Sequence, residues 1–183
     1  MESIETLRAV HHSTRRRIIE YLFLHGPSQV GTLAAELDQQ VGSISHHLRI
    51  LERVGVVARA PELSTDGRTS WWRLTRGGFA WAPDDYSDSP ADRMQAKAAE
   101  RASIDHQLGR LAAWKRRQDG DTEEWRRAAF SNDMMGRATP EELRELSELI
   151  TATWRAWREA IDLEDGQERR PVFFFTHGFP FRP

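Results

Sequence analysis

The sequence predicts a mainly α-helical protein with a small β component, and three observations carry that prediction. Apolar residues recur at three- and four-residue spacing in four short stretches before Gly55 and in two longer ones beyond Pro90. Two short runs rich in Val and Trp flank a polar segment containing Asp66-Gly67. The chain then ends on a long helical pattern followed by the apolar run Pro171–Thr176 (PVFFFT).

The elements follow in order. Ile4, Leu7 and Val10 recur after Ser3, which predicts a short first helix. His11-His12-Ser13-Thr14 interrupts it, and Ser13 is the expected N-cap of a second helix over Arg15–Leu24, apolar at Ile18, Ile19, Leu22 and Phe23. His25-Gly26-Pro27 ends that helix, because glycine suits the C-cap and proline cannot continue it. Ser28 is the expected cap of a third helix with Val30, Leu33, Ala34 and Leu37 on one side. After the tight polar turn Asp38-Gln39-Gln40, a fourth helix carries Val41, Ile44, Leu48 and Leu51 as one stripe until Gly55 stops it.

Val56–Ala60 and Thr69–Leu74 read as strands joined through PELSTDGR, a hairpin with a polar, arginine-bearing tip. Two helices joined by a short turn and followed by such a hairpin make a winged helix-turn-helix pattern, here over residues 1–82. The acidic, proline-flanked Pro83–Pro90 is the expected boundary, so residues 83–120 read as a linker and a long Ala-rich helix over Ala91–Arg117. Met94, Ala98, Ile104, Leu108 and Leu111 lie roughly on one side of it. Residues 121–183 read as a small β-α-β module: a strand at Trp125–Asn132, a helix opened by Thr139-Pro140-Glu141-Glu142, and a strand at Pro171–Thr176.

Composition narrows the function classes. The absence of cysteine excludes disulfides, iron–sulfur clusters, thiolate zinc sites and cysteine nucleophiles. With 30% charged and 39% apolar residues, the chain is too apolar to be disordered, and no apolar run is long enough to span a bilayer. The start MESIETLRAV lacks the apolar core of a signal peptide, so a cytoplasmic protein is expected. Residues 1–82 carry ten Arg against eight acidic residues, while 83–183 carry sixteen Lys and Arg against twenty acidic residues. The positive surplus thus falls on the helix-turn-helix half, where nucleic acid would need it. No catalytic constellation, phosphate-cradling glycine loop or cofactor site is legible, which points away from an enzyme.

If Val41, Ile44, Leu48 and Leu51 face inward, His46 points directly outward at 100° per residue. Gly42, Ser43, Arg49 and Arg53 fan around it, with Ser45 and His47 on the flanks. The N-terminal residues of a helix in the major groove reach base edges, which makes Gln40, Ser43 and His46 the candidates for base contact. Ser45, His47 and Arg49 are the phosphate candidates, and Gly42 allows the backbone close approach. Arg68 at the hairpin tip is a candidate for the minor groove or a phosphate. The run Arg15-Arg16-Arg17 reads equally as backbone contact or as a solvated face.

Leu7–Leu74 resembles the arsenic-repressor (ArsR) family of winged-helix regulators. The resemblance rests on AVHHSTRRRIIEYL, GPSQVGTLAAEL, SISHHLRILERVGVV and GRTSWWRL, and most specifically on Ser45-x-His47-Leu48-x-x-Leu51-x-x-x-Gly55. It implies a DNA-binding transcription regulator, by family habit a repressor, acting as a homodimer on an inverted-repeat operator. The long helix, through Ile104, Leu108 and Leu111, is the expected two-fold interface together with Ile4 and Leu7. The sequence departs from metal-sensing members: no cysteine motif exists, and adjacent Asp105 and His106 point about 100° apart on a helix. The alternatives are a winged-helix module that binds protein, or a metal-sensing repressor using His11, His12 or His106 across a dimer. Trp154 and Trp157 read either as core of the last helix or as the lining of a pocket for a small apolar effector.

Overall fold

The computed structural model describes residues 3–64, 69–75, 86 and 89–182, and it divides into two units, Met1–Ala113 and Trp114–Pro183. In the first unit, α1 (Ile4–Val10) begins where the Ser3 side chain accepts the Thr6 N–H. The second helix, α2 (Ser13–His25), starts earlier than its sequence suggests. His12 is its N-cap, with imidazole Nδ1 accepting the Thr14 N–H at 3.2 Å, and Ser13 is already helical. Gly26, at φ +74°, ends it as expected.

Ser28 does not cap the third helix. Ser28–Gln29 form a short strand, β1, whose register opposite Trp72 and Trp71 buries Ser28 and turns its hydroxyl to the Gly26 carbonyl. Helix α3 (Val30–Glu36) therefore opens from Gln29. Asp38 takes φ +51° in the turn, and α4 (Val41–Arg53) follows, closed by Gly55 at φ +70°. β2 (Val57–Arg59) and β3 (Trp71–Leu74) pair antiparallel, giving a three-stranded sheet in the order β1-β3-β2. The hairpin thus exists, with a third strand that two residues were too few to announce. Its Asp66-Gly67 turn lies outside the described residues.

The core of this unit joins Ile18, Leu22, Leu33, Ala34, Leu37, Ile44, Leu48, Leu51, Val56, Val57 and Trp72. Trp72 is the inward member of its pair and lies under the Arg59 guanidinium, 5.0 Å from the ring centre. Two expected core positions are not buried: Phe23 is 46% exposed and Val41 56%. Each sits at one end of its apolar stripe. A smaller cluster joins Leu7, Tyr86, Ala96 and Ala99, with Ile4 against it, so α1 packs on α5 (Pro90–Arg117) through two alanines.

The second unit departs most from expectation. Trp125–Asn132 is not a strand: Glu123–Ala128 form a helix, α6, capped by Thr122, with Glu123 and Glu124 in its first turn and Arg126 and Arg127 in its last. Charges of those signs at those ends complement the helix dipole, and they outweighed the short aromatic run. Helix α7 (Pro140–Glu159) has the complete capping box, with the Thr139 hydroxyl accepting the Glu142 N–H and the Glu142 carboxylate accepting the Thr139 N–H. Pro171–Thr176 forms no strand, because the segment expected to pair with it is helical and a ladder needs two partners. The β-α-β module is therefore absent. In its place Phe174 stacks on Trp154 (5.2 Å, 10°) and contacts Phe130, while Arg170 pairs with Asp121 at 2.8 Å. No described residue of this unit is fully buried, so Leu146 and Trp157 at about half exposure are not core.

Candidate nucleic-acid interface

The inward face of α4 is Ile44, Leu48 and Leu51, each fully buried. This fixes the rotation of the helix. His46, Gly42 and Arg49 are exposed, and Ser43, Ser45 and His47 sit at the margins, half-buried. Gln40 is the N-cap residue of α4, yet its side chain makes no capping bond and is exposed. A Cβ on Gly42 would meet nothing within 4 Å, so the first turn of α4 presents bare, open backbone. These positions share one surface, and Arg68, the remaining candidate, lies outside the described residues.

Two side chains are committed differently from what spacing alone suggests. Ser45 donates its hydroxyl hydrogen to the Val41 carbonyl at 2.8 Å, one turn back in its own helix, which leaves only acceptor capacity for a ligand. His47 turns toward α2: its ring centre lies 4.8 Å from that of His12, and its Nδ1 is 3.5 Å from the Arg15 guanidinium. Burial, then His12, Arg15 and His46, lower its pKa, which favours the neutral ring.

The arginine run resolves into three different staples. Arg15 donates to the carbonyls of Ala9 (2.6 Å) and Arg8 (3.0 Å), Arg16 contacts His11 Nδ1 (2.7 Å) and the Ala102 carbonyl, and Arg17 donates to the Leu37 carbonyl (2.8 Å). Successive helical residues point 100° apart, so one run ties α2 to α1, α5 and the end of α3 in turn. On the α5 side, Glu20 accepts from Arg110 and lies 3.0 Å from His106 Nε2. His11 in the same region is held at about 4 by burial, with Arg16 and His106 adding to the depression.

Of the expected interface residues, Leu7 is enclosed by its own chain and Ile4 packs against that cluster. On α5, Ile104 is half-buried, while Leu108 and Leu111 remain 53% and 41% exposed. Asp105 is exposed and His106 turns to Glu20, and among the described residues no three His, Asp or Glu side chains converge on a point suited to a metal ion. Nor, among them, is any helix long and apolar enough to cross a membrane. Trp154 and Trp157 are neighbours, 4.8 Å between centres, with Trp157 48% exposed.

Residues 12–59 match the model of the family described as bacterial regulatory protein, arsR family, a family of regulators and not of enzymes. Among solved structures, the chain is similar to a possible transcriptional regulator for arsenical resistance (28% identity, 60% of this chain and 94% of that one, TM-score 0.34). It is also similar to a transcriptional regulator from Thermotoga maritima (16% identity, 80% and 79%, TM-score 0.34). A third is a MarR family transcription regulator (18% identity, 86% and 80%, TM-score 0.36). No curated protein matches the chain.

Proposed function

We propose that this chain, whose residues 12–59 match the arsR family model, is a cytoplasmic transcription repressor of that family that binds an inverted-repeat operator as a homodimer. The observation that carries the proposal is the rotation of α4. Its buried face is wholly apolar and its open face offers Gln40, Gly42, Ser43, His46 and Arg49 together. Gln40, Ser43 and His46 read base edges in the major groove, and Arg49 and His47 hold phosphate. Ser45 accepts rather than donates there, and Arg68 reaches the backbone or minor groove from the wing.

Two half-sites one helical turn apart require two copies. The two-fold contact is formed by Ile104 and the exposed Leu108 and Leu111 of α5 together with Ile4 and Leu7 of α1. By domain, residues 1–82 read DNA, 83–120 hold the dimer and 121–183 receive a small apolar effector near Trp154 and Trp157. The stacked Trp154–Phe174 pair supports that last assignment.

The test is selection of bound sequences from a random duplex pool, followed by anisotropy titration of the selected site. His46→Ala is expected to weaken the specific site by about 1–3 kcal/mol while leaving random duplex nearly unchanged. Arg49→Ala is expected to weaken both and to lower the salt slope. Leu108→Glu with Leu111→Glu is expected to sediment as monomer and lose tight binding. Unchanged sequence preference in His46→Ala would refute the orientation of α4.

A further inference from the structure

We propose that His12 and Arg15 at the start of α2 join His47 of α4 in a clamp for one phosphodiester of the DNA backbone, an assignment that rests on the DNA-binding function above. The three side chains come from two helices and meet at short range. The His12 and His47 ring centres are 4.8 Å apart, the Arg15 guanidinium is 3.5 Å from His47 Nδ1, and the His46 ring lies 5.5 Å beyond.

The hydrogen bonds fix which ring nitrogens carry the hydrogen. His12 Nδ1 accepts the Thr14 N–H, so the neutral ring carries its hydrogen on Nε2. His47 Nδ1 faces a guanidinium, which has no acceptor, so its hydrogen also sits on Nε2. Arg15 uses Nε and one terminal nitrogen on the Ala9 and Arg8 carbonyls, which pins the guanidinium in place and keeps its charge. The cluster is then two imidazole N–H donors around one fixed cation.

What it lacks, among the described residues, is an anion. The groups that act on His47 are His12, Arg15 and His46, and the one that acts on His12 is Arg15. Among the described residues no carboxylate pairs with any of these four. The next arginine in the run shows the contrast: Arg16 belongs to a network that includes Glu20, so an acid is present where the fold alone has to be satisfied. A phosphodiester supplies both missing features, one negative charge and several acceptor oxygens. Its position beside His46 places it where the backbone flanking a base read by α4 would run.

The histidine at position 12 also caps a helix, so a capping-competent substitution separates the two roles. Asn and Asp both retain the N-cap acceptor. Full-length His12→Asn, His12→Asp and His47→Gln would be titrated against a mixed-sequence 25-base-pair duplex over a range of salt, with thermal unfolding in parallel. The clamp predicts three- to tenfold weaker binding for His12→Asn and His47→Gln at an unchanged unfolding midpoint. It predicts more than tenfold weaker binding for His12→Asp, although aspartate is at least as good a cap. Wild-type affinity in His12→Asn and His12→Asp overturns the clamp and leaves only a cap. Weakening by Asp alone also overturns it, since that is general repulsion. Absence of salt-dependent binding by the unsubstituted protein would instead sink the DNA-binding function on which the clamp rests.

Discussion

Leu48 and Val41 occupy the same apolar stripe of α4 in sequence but not in space, and the pair tests how the reading helix is held. Leu48 is fully enclosed, whereas Val41 is 56% exposed at the first turn. Leu48→Ala removes the equivalent of three methylene groups at about 0.8 kcal/mol each. The cavity left between α4 and α2 adds to this, for a loss of about 3–4 kcal/mol. A domain of this size has a stability of about 5–15 kcal/mol, so the variant would unfold some 10–20 °C lower. Val41→Ala removes two methyl groups already half in water and gains helix propensity, which leaves a net change within about 0.5 kcal/mol. Urea unfolding followed by far-ultraviolet circular dichroism measures both. Equal losses in the two variants, or less than 1 kcal/mol for Leu48→Ala, would refute the rotation of α4 on which every base-contact assignment depends.

Three further outcomes follow from the structure. His11 stays neutral down to about pH 4 in the folded chain but protonates near its ordinary 6.5 when unfolded, so the unfolded state binds more protons between those values. Stability is therefore expected to hold above pH 6.5 and to fall as pH drops toward 4, by about 1–2 kcal/mol after allowing for solvent screening of the partly exposed ring. Urea midpoints at pH 7 and pH 5 check this, and His11→Gln should flatten the difference. Gly55→Ala meets no atom within 4 Å, yet it forces a side chain to φ +70°, and a loss of about 1 kcal/mol is expected from backbone strain alone. Thr139→Ala removes one half of the α7 capping box and should weaken that helix by about 0.5–2 kcal/mol, read as faster amide exchange at Glu142 and Leu143.

Much of the first unit was legible because its signals are local. The spacing of Ile44, Leu48 and Leu51 states which way α4 faces, since a helix has one period and its apolar side must be covered. Gly26 and Gly55 terminate helices of this unit, and the Thr139 box opens one in the second unit, through bonds within a few residues. Tertiary structure decided whatever depends on a distant partner. Ser28 is a good cap by type, but Trp72 across the sheet drew it into a strand. The Arg15–Arg17 run bonds to residues of other elements, so only the placement of α1, α3 and α5 showed that each arginine ties a different one. The angle of His47 on its helix points it to phosphate, whereas its alignment with His12 and Arg15, thirty-odd positions earlier, comes from the packing of α2 on α4. The C-terminal unit failed as a β-α-β module for the same reason. Apolar character marks Val172–Phe175 as suited to a strand, but a strand exists only where another backbone meets its N–H and C=O groups, and composition cannot supply that neighbour.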